Sequence, residues 1–226
     1  MAFELFNLAG KRALVTGSSQ GIGLALARGL AEHGASVILN GRDRTKLDAA
    51  AASLTSSGHE VAVAGFDVTV AEAVREGVAT IEQTVGPIDI LVNNAGMQFR
   101  TPLEDFPAEK WELLLRTNVS SAFYVGQAVA RHMIPRGKGK IINIASVQSE
   151  LARPGIAPYT ATKGAIKNLT RGMCTDWAQA YLNRAQLFLL PLVRLRSASP
   201  ARARTGRSRR RADRPCVRRP RNGRRR

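Results

Sequence analysis

Short runs of Val, Ile, Leu and Ala alternate along this chain with longer stretches whose apolar residues recur every three or four positions. The runs at residues 11–16 (KRALVT), 36–40 (SVILN), 60–66 (EVAVAGF), 88–92 (IDILV) and 140–145 (KIINIA) have the length and content of buried strands. Residues 22–33, 44–57, 70–85, 107–133 and 159–180 carry helical spacing. The breakers agree with this division. Gly34 and Gly58 follow two helices as C-caps, Gly86-Pro87 ends a third, and Pro107 suits the first turn of a fourth. Strands separated by helices imply right-handed crossovers and a parallel sheet. The expected architecture is α/β: a doubly wound parallel sheet with helices on both faces.

With 226 residues, 44% of them hydrophobic, the chain can bury a core and is not a disordered polymer. No apolar run reaches the roughly 18–20 residues of a membrane helix. The first ten residues lack the basic start of a secretory signal. Two cysteines, Cys174 and Cys216, without metal-ligand spacing, argue against a disulfide framework or zinc site and for a reducing, cytoplasmic setting.

The formal charge of +17 is unevenly held. Residues 1–180 carry 18 Lys+Arg against 16 Asp+Glu, whereas residues 181–226 carry 16 Arg, no Lys and one acid, Asp213. The charge thus describes a tail and not the body. A nucleic-acid or other polyanion partner is implied by the tail alone. Its aromatics are Tyr181 and Phe188, so it offers little base stacking.

The first strand runs into Thr16-Gly17-Ser18-Ser19-Gln20-Gly21-Ile22-Gly23, a TGxxxGxG turn at the head of a helix. Gly17 allows the sharp turn, Gly21 lets the main chain approach a phosphate, and Gly23 lets the helix pack against the sheet. The helix N-terminus offers free N–H groups and a positive dipole end to a pyrophosphate. This is a Rossmann-type dinucleotide signal, and Ser19, Gln20 and Ile22 belong to the same turn. The second strand ends in Asn40-Gly41-Arg42, with no carboxylate for a ribose 2′-hydroxyl. Arg42 suits a 2′-phosphate, which favours NADP while leaving NAD possible. Asp67-Val68 follows the third strand, where a short acid can hold an adenine edge. Asn93-Asn94-Ala95-Gly96 follows the fourth, where small residues let a cofactor lie against the sheet edge. Each of these alone reads as a turn.

Ser146 ends the fifth strand. Tyr159 lies 13 residues on, and Lys163 four further, on one helix face. A phenol with pKa near 10 is a poor base at neutral pH, and a neighbouring ammonium lowers it. Such a Tyr can take a proton from an alcohol or give one to a carbonyl, while Ser146 holds the reacting oxygen.

The motifs TGxxxGxG, NNAG, Ser146 and Tyr159-x-x-x-Lys163 resemble those of the short-chain dehydrogenase/reductase family, over about residues 11–180. The resemblance implies a catalytic set of Asn118, Ser146, Tyr159 and Lys163. Tyr159 is the acid/base, Lys163 also binds the nicotinamide ribose, Ser146 positions the substrate, and Asn118 supports a proton-relay water. Within the family, LNGRD, NNAGMQFRTPLEDF and INIASVQSELARPGIAPYTATKGAIK resemble the gluconate 5-dehydrogenase group, which interconverts gluconate and 5-ketogluconate with NADP. Arg100 and Arg153 are placed to meet a sugar-acid carboxylate. A 3-oxoacyl-(acyl-carrier-protein) reductase is the rival within the family. The resemblance also implies a homodimer through the helices at 107–133 and 159–180, whereas a tetramer loses its C-terminal elements.

Near residue 180 the resemblance stops. The expected domains are a dinucleotide-binding catalytic domain over 1–180 and an Arg-rich tail over 181–226. Residues 186–195 can add a strand, giving five strands or six where the family has seven, and the family's substrate lid has no counterpart. Abundant Arg with no Lys points to an out-of-frame translation, with a disordered polyanion-binding arm, a targeting extension and a solvated flank as alternatives. The fold is therefore expected to be weakly stable and weakly active, or inactive with a polyanion-binding tail.

Overall fold

A computed structural model of the chain describes residues 6–178 and 186–188. All of these fall in one compact unit, Met1–Leu192, and the second unit, Val193–Arg226, lies outside the described residues. The basic tail expected over 181–226 therefore lies outside them, apart from residues 186–188.

The elements follow the expected alternation: β1 (Arg12–Val15), α1 (Gly21–Glu32), β2 (Ser36–Gly41), α2 (Arg44–Thr55), β3 (Val61–Gly65), α3 (Ala71–Thr84) and β4 (Ile90–Asn93). Then come α4 (Ala108–Leu115), a π-helical turn (Arg116–Ser120), α5 (Ser121–Arg136), β5 (Lys140–Ile144), a 3-10 turn (Val147–Ser149), α6 (Ala157–Ala178) and β6 (Gln186–Phe188). Among the described residues the strands form one sheet in the order β3-β2-β1-β4-β5-β6. Every neighbouring pair is parallel. The order reverses direction between β1 and β4, and a crevice forms at such a switch point, at the C-terminal strand ends.

Alternation along the strands builds two cores. Leu14, Ile38, Leu91 and Ile141 face α3 and α5, where Val74, Val78, Ile81, Val125, Val129 and Met133 are buried. Ala13, Val15, Val37, Leu39, Ile90 and Val92 face α1 and α2, against Ala27, Ala31, Leu47, Ala50 and Leu54. Ile166 and Leu169 of α6 pack on Ala122 of α5 and Ala145. A parallel sheet covered on both faces reads as continuous apolar runs, as these strands do.

Two details differ from the sequence expectations. The long helix expected over 107–133 is two α-helices joined by the π turn, and it runs on to Arg136. Pro135 forfeits one main-chain bond in the last turn, and Gly137, at φ 62°, caps the end. The strand expected over 186–195 is described over its first three residues, paired with β5 from Ile142 to Ile144.

Candidate active site

The candidate residues gather along the C-terminal edge of the sheet because each follows the end of a strand or sits in a helix crossing that edge. The glycine-rich turn comes first. A Cβ on Gly23 would lie 2.3 Å from the Gly17 carbonyl oxygen and 2.5 Å from Asn94 Nδ2, so α1 packs where no side chain fits. Gly21 is the opposite case: its φ is 60°, and a Cβ there would meet nothing within 4 Å. Gln20 precedes α1 without a side-chain cap bond, and the first turn holds no acid. Ile22 is half exposed beside it. Open space, unclaimed N–H groups and an unopposed dipole end fit a dinucleotide pyrophosphate.

The segment after β4 is tied to that turn. Thr16 Oγ1 accepts from the main-chain N–H groups of Asn94 and Ala95, both at 3.0 Å. Asn94 Nδ2 donates to the carbonyls of Thr16 (2.9 Å) and Gly17 (3.2 Å). Asn94 thus fastens the turn to the floor, while Ala95 and Gly96 keep the floor low. Gly96 lies against Asn118 Oδ1.

At the next two strand ends, Arg42 Nη1 stands 3.7 Å from Asp67 Oδ2. Asp67 Oδ1 accepts from both N and Oγ1 of Thr69, each at 2.8 Å. Val68 is buried in the core beneath. The Ser19 hydroxyl lies beside Gly41, on the same side of the turn as the Arg42 segment.

Tyr159, Ser146 and Lys163 converge and are buried. The Ser146 hydroxyl is within hydrogen-bonding reach of the Tyr159 phenol, and Lys163 Nζ lies 5.8 Å from the centre of its ring. Burial pushes the Tyr159 phenol above its ordinary pKa, partly offset by the Ser146 hydrogen bond and the charge of Arg153. Lys163 is pulled down to about 8 by burial, and its Nζ donates to the Ile144 carbonyl at 2.7 Å. The ammonium was expected to lower the phenol. In this structure it faces a main-chain oxygen, and desolvation dominates both groups.

Asn118 sits in the π turn. Its Oδ1 accepts from Met97 N (2.7 Å), and its Nδ2 donates to Met97 O (2.9 Å) and Thr162 Oγ1 (3.1 Å). The side chain is committed to locking the β4 loop to α6. A π turn within a helix recurs at functional sites, where it displaces a residue from regular helical register.

Some supporting residues escaped the sequence reading. Thr162 receives Asn118 and returns its hydroxyl to the Tyr159 carbonyl at 2.8 Å. Ser149 donates to the Lys163 carbonyl at 2.8 Å, and Glu150 pairs with Lys167, so the turn after Ser146 is stapled to α6 one helical turn apart. Asn143 and Thr170 join at 2.9 Å, and Asn143 also accepts at 2.9 Å from Asn93, which the sequence places in the stretch after the fourth strand. Asn143 within an apolar strand was the signal, since a buried amide requires partners.

The family model for short chain dehydrogenases matches residues 11–185. The chain belongs to that family. It is an oxidoreductase of the dehydrogenase/reductase type. Gluconate 5-dehydrogenase of Gluconobacter oxydans is 64% identical over 176 residues, which are 78% of this chain and 69% of that protein. 5-Keto-D-gluconate 5-reductase of Escherichia coli is 48% identical over 176 residues, with the same coverage of 78% and 69%. Among solved structures, a gluconate 5-dehydrogenase from Burkholderia cenocepacia, crystallised with NADP and tartrate, is 54% identical with a TM-score of 0.79, over 81% of this chain and 72% of that one. No helix among the described residues is long and apolar enough to cross a membrane, and none of their His, Cys, Asp and Glu side chains group as a metal site.

Proposed function

We propose that the chain is an NADP-dependent oxidoreductase that interconverts a secondary alcohol and a ketone on a sugar acid of the gluconate/5-ketogluconate type. The convergence of Tyr159, Ser146 and Lys163 beside the glycine cradle carries the reading. The 64% identity to a gluconate 5-dehydrogenase supports the substrate class. NADP is supported by Arg42 at the end of β2 and by the NADP-bound relative.

Gly17, Gly21, Gly23 and the N-terminus of α1 would hold the pyrophosphate, with Ser19, Gln20 and Ile22 around it. Arg42 would take the 2′-phosphate, and Asp67 and Val68 the adenine. Asn94, Ala95 and Gly96 would line the floor, and Tyr159 and Lys163 would hold the nicotinamide ribose. When bound, the cofactor supplies or accepts the hydride at its nicotinamide ring. The chain's own residues orient the substrate and move the proton. Tyr159 is protonated at neutral pH, so it is ready to donate to the oxygen of a ketone. Ser146 directs its hydroxyl at the same oxygen. Arg153, whose charge already acts on the Tyr159 phenol, is placed to meet a substrate carboxylate, with Arg100 as the second candidate. The assembly is a homodimer through α4, α5 and α6, supported by exposed Trp111 and Phe123 on the first two. The setting is a reducing, cytoplasmic one.

The test is a substrate panel on the full chain: 5-ketogluconate and a 3-oxoacyl thioester, each with NADPH and NADH. Turnover is expected to be fastest with 5-ketogluconate and NADPH. Turnover with the thioester alone, or none with either substrate while NADPH binds, would overturn the reading.

A further inference from the structure

Arg42 has a standing partner. Its guanidinium lies 3.7 Å from Asp67 Oδ2, across the ends of β2 and β3, which pair as Gly41↔Gly65. The two members are unequal. Asp67 is pinned through Oδ1 by both the N–H and the hydroxyl of Thr69. The Arg42 side chain is 74% exposed, against 31% for that of Asp67. The Arg42 arm is therefore the one free to move.

The neighbouring charges are already engaged. Asp43 caps α2 through Lys46 N and pairs with the Lys46 ammonium at 3.4 Å, and Arg44 forks onto Asp48. Among the described residues, Asp67 is the carboxylate within ion-pair distance of Arg42. Its carboxyl is held below the ordinary range: burial pushes it up, but the Thr69 hydrogen bonds and the Arg42 charge outweigh that.

We propose that Asp67 sets cofactor selectivity by acting as a counter-ion that competes with a ribose 2′-phosphate for Arg42. This rests on the proposed role of Arg42 as the phosphate reader. A 2′-phosphate must draw the guanidinium away from Asp67, whereas a 2′-hydroxyl leaves the pair in place. Whatever Asp67 contributes to holding adenine is common to NADPH and NADH and cancels in the ratio of their dissociation constants. Removing the carboxylate charge thus shifts the balance toward the phosphorylated cofactor. Exposed ion pairs are weak, so the shift is about 2- to 5-fold.

The experiment measures NADPH and NADH dissociation constants by fluorescence titration of the full chain, for the wild type, Asp67→Asn, Arg42→Ala and the double variant. Asn keeps the acceptor that Thr69 uses, and Asp67→Ser is the second replacement. Either replacement should raise the preference for NADPH about 2- to 5-fold, and neither should change it in the Arg42→Ala background. An unchanged or lower preference, or the same rise without Arg42, would overturn the proposal. If Arg42→Ala by itself leaves the preference unchanged, Arg42 is not the phosphate reader, and the proposal falls with that premise.

Discussion

Lys163 is a cation in a place that disfavours cations. Its ammonium is almost wholly buried and its pKa falls to about 8 through desolvation. An unfolded lysine titrates near 10.4. Between these values the unfolded chain binds more protons than the native one, so this group's contribution to stability rises with pH. Below about 8 the penalty is fully present, and above the unfolded value it is gone. Lys163→Met removes the titration. The stability of the wild type relative to this variant should therefore increase by on the order of 2 kcal/mol from pH 7.5 to 9.5, read by urea denaturation. A difference independent of pH would contradict the burial account. Residue types and spacings singled out Ser146, Tyr159 and Lys163 in the sequence, because helical periodicity puts Tyr159 and Lys163 on one face and Ser146 follows the preceding strand. The sense of the Tyr159 shift was not legible. It depends on burial and on the direction of the Lys163 ammonium, and no spacing encodes either.

At the scale of elements, α1 separates tight packing from loose. Gly23 and Gly29 share that helix and differ in surroundings. A Cβ on Gly23 would strike the Gly17 carbonyl oxygen, while one on Gly29 would meet nothing within 4 Å. Gly29→Ala should stabilise by up to about 1 kcal/mol, through helix propensity. Gly23→Ala should cost about 1–3 kcal/mol, as overpacking does, and should also weaken NADPH binding because it spreads the turn. Thermal unfolding of the two variants gives the comparison. Equal effects would show that close approach of α1 to the turn is not what requires Gly23. Strands and helices were legible to within a few residues, since their apolar periods differ and Gly or Pro closes most of them. The π turn at Arg116–Ser120 was not legible. Its residues satisfy a helical pattern, and the contacts that accompany it, Asn118 to Met97 and Thr162, join residues far apart in sequence. The stretch after Met133 was misjudged. The helix runs past Met133 through Pro135, which its last turn accommodates, and Gly137 completes the cap.

At the scale of the whole molecule, the sheet order brings five strand ends to one edge, and the candidate residues lie along it. The topology could be anticipated because parallel crossovers have one hand. The staple of Ser149 and Glu150 onto α6, and the Asn93–Asn143–Thr170 chain, could not, because pairing between distant polar residues is decided by packing. We propose that Tyr159 transfers the proton at this edge beside a bound NADP. The most direct test of this is the kcat for NADPH-dependent reduction of 5-ketogluconate by the full chain and by Tyr159→Phe, with NADPH affinity measured on both. The variant should lose about 10²- to 10⁴-fold in kcat and bind NADPH within a few-fold of the wild type. Equal turnover by the two proteins would contradict the account.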